Sequence, residues 1–259
     1  MELKNILYEK DAGIRIVTLN RPKAMNALNN EIVIELAMVM DEIAADQEAR
    51  VVILTGGEKV FAAGGDIILM SKADPSAAEK YATLVGQAFL SMEKLNQPVI
   101  AAISGMALGG GCEMALACDI RIATEDTIFS LPEINLGIIP GAGGTQRLTR
   151  VVGPGWSKYL VMTGQPIDIE TALRIGLVTQ VVPKEDLMDE AKKLASKLAA
   201  KSPVALKTAK DCVNYAMNVD LVSGLAYERK NMAFLFSTED QKEGMNAFLE
   251  KRKAQFIGK

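Results

Sequence analysis

The sequence predicts an α/β fold followed by an all-helical tail. Three observations support this prediction: short aliphatic runs alternate with helical patterns, glycine-rich loops separate them, and four helical patterns succeed one another at the end. Strands that alternate with crossover helices are typical of parallel sheets with right-handed connections. We therefore expect a core over residues 1–184 and a helical C-terminal region over residues 185–259.

The first unit begins with a predicted hairpin. Strands are expected over residues 3–8 and 14–19, and the glycine of the intervening Asp11-Ala12-Gly13 suits a tight turn. Apolar residues at helical spacing from residue 30 predict a helix that ends near residue 47. An apolar strand over residues 51–54 completes the unit.

The same order of elements recurs in two further units. A small-residue loop over residues 56–70 precedes a predicted helix at 76–95 and an apolar strand at 99–103. The next unit opens with a helix after Gly111 and returns through a strand at 120–122. Both units extend the predicted sheet.

Beyond residue 168 only residues 177–182 look extended. The predicted helices that end the chain cover residues 186–200, 203–217, 220–236 and 239–256. Residues 220–248 are rich in large apolar side chains, and the pattern fits subunit contact and core packing equally well.

Among the 259 residues there is no histidine. This excludes Ser–His and Cys–His nucleophilic relays and histidine-bound metals. Acid–base chemistry must therefore depend on Asp, Glu, Lys, Tyr or Cys. The spacings of Cys112, Cys118 and Cys212 match no zinc or haem signature, so we expect no metal site and a reducing, cytoplasmic location.

Charge and hydropathy argue against two further classes of partner. The 29 basic and 32 acidic side chains give a net charge of −3, which offers no general attraction for nucleic acid. The N-terminus does not resemble a secretory signal. The longest stretch without charge, residues 95–112, contains Asn, Gln, Pro and a glycine cluster. We expect neither nucleic-acid nor membrane binding.

A glycine-rich helix start is the most informative segment. Gly109, Gly110 and Gly111 follow a strand and precede a helix with Glu113 in its first turn. Free N–H groups at a helix start suit an oxyanion or a phosphate, and this spacing would place the carboxylate on the same side as the Gly110 N–H. From the residues alone, a packing turn explains the glycines equally well.

Two other segments add to this pattern. The loop at residues 61–67 is built of small residues and follows a strand, so it can also expose N–H groups. Glu133 stands beside Pro132 in an apolar run and precedes a Pro- and Gly-rich loop at residues 136–145. Burial of Glu133 would raise its pKa.

Three motifs in this order resemble the crotonase, or enoyl-CoA hydratase, family. They are AAGGDI at 62–67, ALGGGCE at 107–113 and PEINLGIIPGAGGTQRL at 132–148. The resemblance covers essentially the whole chain, from NRPKAMNAL at 20–28 to STEDQKEGMNAFLEKRK at 237–253. It implies a spiral of ββα units and a helical trimerisation region, assembled as a homotrimer or a dimer of trimers.

The resemblance also implies the roles of the central residues. The N–H groups of Gly65 and Gly110 would form an oxyanion hole for a thioester oxygen. Glu133 would transfer the proton at Cα, and Glu113 would hold and activate water with help from the Gly141 N–H. Gly65 departs from the family, where alanine is common, but a backbone donor is unaffected by that difference.

The CoA part of the substrate is expected on the loops around these residues. Ala63, Ile67 and Ile68 match the family loop around the adenine and pantetheine, and Ala24 resembles another adenine wall. Many relatives carry charged residues where this chain has Ile68-Leu69. Lys251 and Lys253 lie in a basic end to the last helix that would neutralise CoA phosphates, although cations at a helix C-terminus need no ligand.

The function implied by the resemblance is reversible syn hydration of a short-chain trans-2-enoyl-CoA, such as crotonyl-CoA, to the 3-hydroxyacyl-CoA. No cofactor is expected beyond the CoA of the substrate. Family members that isomerise a double bond commonly keep one acid, so the pair Glu113 and Glu133 favours hydration. An enoyl-CoA isomerase, a hydratase for a specialised acyl-CoA, and a non-catalytic or RNA-binding member are the alternatives.

Overall fold

The computed structural model describes residues 2–259 and contains two sheets, with helices on both faces of the larger one. The strands are β1 (Ile6–Asp11), β2 (Ile14–Leu19), β3 (Val51–Thr55), β4 (Val99–Ile103), β5 (Met106–Leu108), β6 (Ile120–Thr124), β7 (Ile128–Ser130) and β8 (Gln180–Val182). The helices are α1 (Asn30–Ala45), α2 (Ile67–Met70), α3 (Pro75–Lys94), α4 (Gly110–Leu116), α5 (Gly144–Thr163), α6 (Ile169–Arg174), α7 (Leu187–Ala199), α8 (Pro203–Ala216), α9 (Leu221–Leu235) and α10 (Glu239–Leu249). Short 3-10 helices cover Pro22–Ala24, Pro132–Leu136 and Lys184–Asp186.

The larger sheet has its strands in the order β1-β2-β3-β4-β6-β8. Strands β1 and β2 form the predicted hairpin, and the other neighbouring pairs are parallel. The first strand lies further along the chain than residues 3–8, because Asp11 still pairs with Ile14 and the turn needs only two residues. Ala12, not Gly13, has the positive φ of this turn, 49°.

Alternate residues of the larger sheet fill two separate cores. On one face, Val52 and Leu54 pack with residues of α1, α3 and α4. On the other face, Ile53 and Ile100 pack with Leu187 and its neighbours in α7. The first helix of the predicted C-terminal region therefore covers one side of the sheet.

The smaller sheet carries the loops that the sequence singled out. Strands β5 and β7 pair in parallel, and isolated parallel bridges join Ala62 to Ala107 and Leu28 to Gly65. The chain leaves β5 into the glycine run and leaves β7 into Pro132–Leu136. Because the carboxyl ends of parallel strands meet at one edge, these segments converge there. The sequence did not predict this sheet, since its strands span only three residues each.

Helix α8 is tied to the core by a single buried cation. The Lys210 Nζ lies 2.8 Å from the Asp119 carboxylate, and the Lys210 side chain is 8% exposed. The same ammonium donates to the carbonyl of Gln97 at 3.2 Å. The C-terminal region and the core are therefore joined by a charged contact as well as by the packing of α7.

The end of the chain differs from its prediction. Helix α10 ends at Leu249 instead of residue 256, so Lys251 and Lys253 follow the helix and do not form its last turn. Lys251 has a positive φ of 56°, and the segment beyond it returns to α10, where the N–H groups of Ile257 and Gly258 donate to Asp240. None of the helices within residues 2–259 combines the length and hydropathy needed to cross a bilayer.

Candidate active site

Gly65 and Gly110 stand side by side at the edge of the smaller sheet. A β-carbon placed on Gly110 would lie 3.6 Å from the Gly65 nitrogen. Gly110 is the first residue of α4, so its N–H has no acceptor within the helix. Within residues 2–259 neither N–H donates a hydrogen bond. The two groups form a pair of free donors at one point.

Gly109 fits the space between this pair and Glu133. Its φ of 49° lies in the left-handed region, which favours glycine. A β-carbon on Gly109 would lie 2.8 Å from the Glu133 Oε1. The Gly109 N–H donates to the Ser130 carbonyl at 2.8 Å, which joins the end of β7 to the start of α4. The missing side chain thus lets Glu133 approach the donor pair.

Glu113 is held at the start of α5. Its side chain is buried, and the Oε1 accepts hydrogen bonds from the N–H of Ala142 at 2.8 Å and the N–H of Gly144 at 2.7 Å. The positive end of the α5 dipole also faces this carboxylate. Burial raises the pKa of Glu113, whereas the two N–H donors and the charge of Arg147 oppose the rise. The pKa of Glu113 therefore lies above its ordinary value, but by less than burial alone would give.

Glu133 lies in a different environment. Its Oε2 is buried and has no hydrogen-bond partner within residues 2–259. Burial raises the pKa of Glu133 to about 7, and the negative charge of Glu113 adds to the rise. Because two N–H groups donate to Glu113 and none among the described residues reaches the Oε2 of Glu133, a proton shared by the pair is favoured on Glu133.

Tyr81 and Met70 border the donor pair on the side of α3. The Tyr81 hydroxyl donates to the Leu28 carbonyl at 2.6 Å, and burial raises its pKa to about 12. A β-carbon on Gly65 would lie 2.7 Å from the Met70 Sδ and 3.3 Å from the Tyr81 oxygen. Because its proton is bonded to a carbonyl and its pKa is high, Tyr81 serves as a wall and not as an acid.

A sequence model described as enoyl-CoA hydratase/isomerase matches residues 9–259. The chain belongs to the enoyl-CoA hydratase/isomerase family. It is similar to a "Short-chain-enoyl-CoA hydratase" of Clostridium acetobutylicum, with 49% identity over 98% of both chains. It is also similar to a "Crotonyl-CoA hydratase" of Syntrophomonas wolfei, with 44% identity over 100% of both.

Solved structures confirm the predicted crotonase fold. An enoyl-CoA hydratase from Bacillus anthracis matches with a TM-score of 0.95 and 39% identity, over 99% of this chain and 100% of that one. One from Geobacillus kaustophilus matches with a TM-score of 0.95 and 41% identity, over 100% of both chains. The ββα units of this family are visible here as β4-β5-α4 and as β6-β7 followed by α5.

Four of the predicted CoA-binding residues of this family member lie on two loops that the structure brings together. The N–H of Ala63 donates to the carbonyl of Met25, next to Ala24, at 3.0 Å. Ile67 and Ile68 begin α2 and are exposed, with 52% and 74% of their surface accessible. The two loops flank the donor pair.

Three other predicted residues form no hydrogen bond with the glutamates within residues 2–259. Gly141 is exposed, and within residues 2–259 its N–H donates no hydrogen bond, so its water-holding role stays a prediction. Lys251 and Lys253 are also exposed and follow α10. The intervening Arg252 pairs with Glu243 instead.

The sequence did not indicate the groups that hold Glu113. They are the N–H groups of Ala142 and Gly144, which lie 29 and 31 residues away along the chain. Arg147, one turn into α5, binds the Ala142 carbonyl. The one relevant signal in the sequence is the glycine-rich loop at residues 136–145. A pattern of side chains does not reveal where the backbone N–H groups of such a loop point.

Proposed function

We propose that the protein catalyses the reversible syn addition of water to short-chain trans-2-enoyl-CoA thioesters, such as crotonyl-CoA. The names of the two relatives described above support this substrate class. The observation that carries the proposal is the contrast between the glutamates beside a pair of free N–H donors: two N–H groups donate to Glu113, whereas Glu133 has a buried Oε2 that is unpaired within residues 2–259 and a pKa raised to about 7.

In the first step, the thioester oxygen accepts hydrogen bonds from the N–H groups of Gly65 and Gly110. Negative charge develops on this oxygen as a nucleophile adds to Cβ, and fixed donors stabilise it without reorganisation. Removal of one such donor commonly costs about 10²–10³ in kcat. The donors are backbone groups fixed by a strand bridge at Gly65 and by the start of α4 at Gly110, so they are in place before the substrate binds.

The two carboxyls divide the proton transfers. Glu113 accepts a proton from water as the water oxygen bonds to Cβ, and the C=C electrons move towards the thioester oxygen. Glu133 then gives its proton to Cα, which restores the thioester carbonyl. The product has gained one OH and one H, and a proton passing from Glu113 to Glu133 resets the pair. Gly141 is proposed to orient the water.

The intact acid pair favours hydration over double-bond isomerisation, which needs no second carboxyl for water. We propose that Ala24, Ala63, Ile67 and Ile68 line the CoA groove, because their loops flank the donor pair. Lys251 and Lys253 are proposed to contact CoA phosphates. No cofactor beyond the CoA of the substrate is required by this chemistry.

We further propose a homotrimer or a dimer of trimers in the cytoplasm. Unpaired cysteines suit a reducing compartment. Helices α8, α9 and α10 expose many large apolar side chains, which a partner subunit would cover. These are Val213, Tyr215, Leu221, Val222, Leu225, Met232, Phe234, Met245, Phe248 and Leu249.

The direct test is to add crotonyl-CoA and follow the loss of enoyl-thioester absorbance, then repeat with longer enoyl-CoA chains. We expect turnover that is highest for the short chains, with 3-hydroxybutyryl-CoA as the product. No turnover with any enoyl-CoA would contradict the proposal. A product without added water would favour the isomerase, and salt-dependent RNA binding in the absence of turnover would favour the non-catalytic alternative.

A further inference from the structure

We propose that Arg147 is a positioning residue, which fixes the turn at residues 142–144 so that Glu113 stays oriented to accept a proton from water. This inference rests on the proposed hydration. Arg147 lies on α5 and forms no hydrogen bond with the donor pair; it acts through Ala142, whose N–H donates to Glu113.

One residue, Ala142, links the two side chains. The Arg147 Nη1 donates to the Ala142 carbonyl at 2.7 Å, and the Ala142 N–H donates to the Glu113 Oε1 at 2.8 Å. Movement of the guanidinium would therefore move a direct donor to the carboxylate. A shift of about 1 Å at a catalytic group costs roughly 10²-fold in rate.

Gly143 makes this arrangement sterically tight. It has a φ of 110°, a left-handed conformation that turns the backbone between the two N–H donors. A β-carbon on Gly143 would overlap the Arg147 guanidinium. The guanidinium thus fills the space of the missing side chain and supports the turn from one side.

Glu93 on α3 fixes the guanidinium in turn. Its carboxylate accepts from the Arg147 Nε at 2.6 Å and from the Nη2 at 3.1 Å. Such a two-point pair sets the plane of the guanidinium as well as its position. The Arg147 side chain is 15% exposed and that of Glu93 is 31% exposed, so the pair is partly shielded from water. Helices α3 and α5 are thereby joined behind Glu113.

The charged and titratable groups around Glu113 come from four elements. Arg147 on α5 is the cation, and it lowers the pKa of Glu113. Glu133 on the 3-10 helix is its acidic partner. Tyr81 on α3 and Cys112 on α4 stay neutral, because burial raises both pKa values. Loss of the cation should therefore move the ionisation of Glu113 to higher pH.

The test compares Arg147→Met with Arg150→Met, a matched control that removes an exposed cation one turn further along α5. For Arg147→Met we expect kcat to fall about 10–100-fold, with KM nearly unchanged. The acid limb of kcat/KM should move up by about one pH unit. Arg147→Lys should lose nearly as much kcat as Arg147→Met, since an ammonium cannot form the two-point pair of a guanidinium. Because it keeps the positive charge, its pH shift should be smaller. Wild-type kcat and pH profile in Arg147→Met would overturn the proposal.

A second variant serves if Arg147→Met does not fold. Glu93→Gln keeps the size of the side chain but removes the anion that fixes Arg147. We expect kcat to fall about 3–10-fold, with the acid limb at or below its wild-type pH because a negative charge is lost. Unchanged kcat in a folded Glu93→Gln enzyme would also overturn the proposal.

A measurement without substrate separates this inference from the proposed function. Carboxyl ¹³C NMR of the free protein, with Glu113 assigned by Glu113→Gln, follows its titration directly. We expect a higher pKa for Glu113 in Arg147→Met than in Arg150→Met. If the wild type fails to hydrate crotonyl-CoA, the proposed function is wrong, yet this titration still decides the role of Arg147: equal pKa values in the two variants would refute it.

Discussion

The two glutamates of the candidate site lie in environments that differ in hydrogen bonding and affect their pKa values differently. Glu113 is only 3% exposed, and depth of burial alone would make it the more perturbed acid. Yet Glu133, which is less buried, has the pKa raised to about 7. The difference lies in hydrogen bonding: two N–H groups donate to Glu113, whereas the buried Oε2 of Glu133 has no partner within residues 2–259. The supply of hydrogen-bond donors, more than burial, therefore sets the pKa values of the two carboxyls apart, which supports their proposed division into base and acid.

The largest expected effect comes from removing either carboxyl. Glu113→Gln and Glu133→Gln should each lower kcat by about 10²–10⁴-fold, because each loses one proton transfer. Binding of the CoA ester should largely survive. The comparison is sharpened by exchange of the Cα proton of 3-hydroxybutyryl-CoA with D₂O: Glu113→Gln should retain it and Glu133→Gln should lose it. The reverse pattern would exchange the two assigned roles.

A smaller effect is expected from glycines that end the turns on each side. Gly143→Ala should lower stability by about 1–3 kcal/mol through backbone strain, and should lower kcat because its β-carbon would overlap Arg147. Gly137→Ala, beside Glu133, also has a positive φ but meets no atom within 4 Å. It should cost about 1 kcal/mol with little change in kcat. Urea unfolding and steady-state rates would check both variants. Equal losses of kcat in the two variants would argue against a special role for the turn at Gly143 in holding Glu113.

The smallest effect concerns stability and pH. The pKa of Glu133 is about 7 in the folded chain against an ordinary 4.5, so between these values the folded state binds more protons than the unfolded state. Its contribution to stability is therefore present at low pH and is lost as the pH rises through 7. Glu133→Gln should unfold with a free energy about 1–3 kcal/mol above wild type near pH 8, and equal to it near pH 4. No gain at the higher pH would contradict the raised pKa.

Local patterns predicted much of the fold and part of the site. The aliphatic runs at residues 51–54 and 99–103 lie in the sheet, and the glycine run does open a helix with Glu113 in its first turn. The three-residue strands β5 and β7 escaped prediction because their pairing is made between distant segments. The contacts of Glu113 with Ala142 and Gly144 escaped it for the same reason, since any residue but proline supplies an N–H and sequence does not say where it points.

The end of the last helix was also mispredicted. Apolar residues at helical spacing continue to residue 256, but the helix ends at Leu249. The residues that follow leave the helix axis and turn back to pack against α10. The Asp240 carboxylate accepts N–H groups from Ile257 and Gly258 in that segment, a tertiary competitor that periodicity does not register. Lys251 and Lys253 therefore lie in a loop between the end of α10 and the returning segment.

The ion pair between Lys210 and Asp119 affects how the chain unfolds. Asp119 is mostly buried, its carboxylate also accepts the Val99 N–H at the start of β4, and Lys210 is the ammonium beside it. If α8 detached, this anion would be left near the sheet without its counter-ion, which is strongly disfavoured. The helices after residue 184 should therefore melt together with the sheet in one cooperative transition. A shortened chain that stops before Lys210 should therefore be less stable than the full chain and should not fold as an independent catalytic domain.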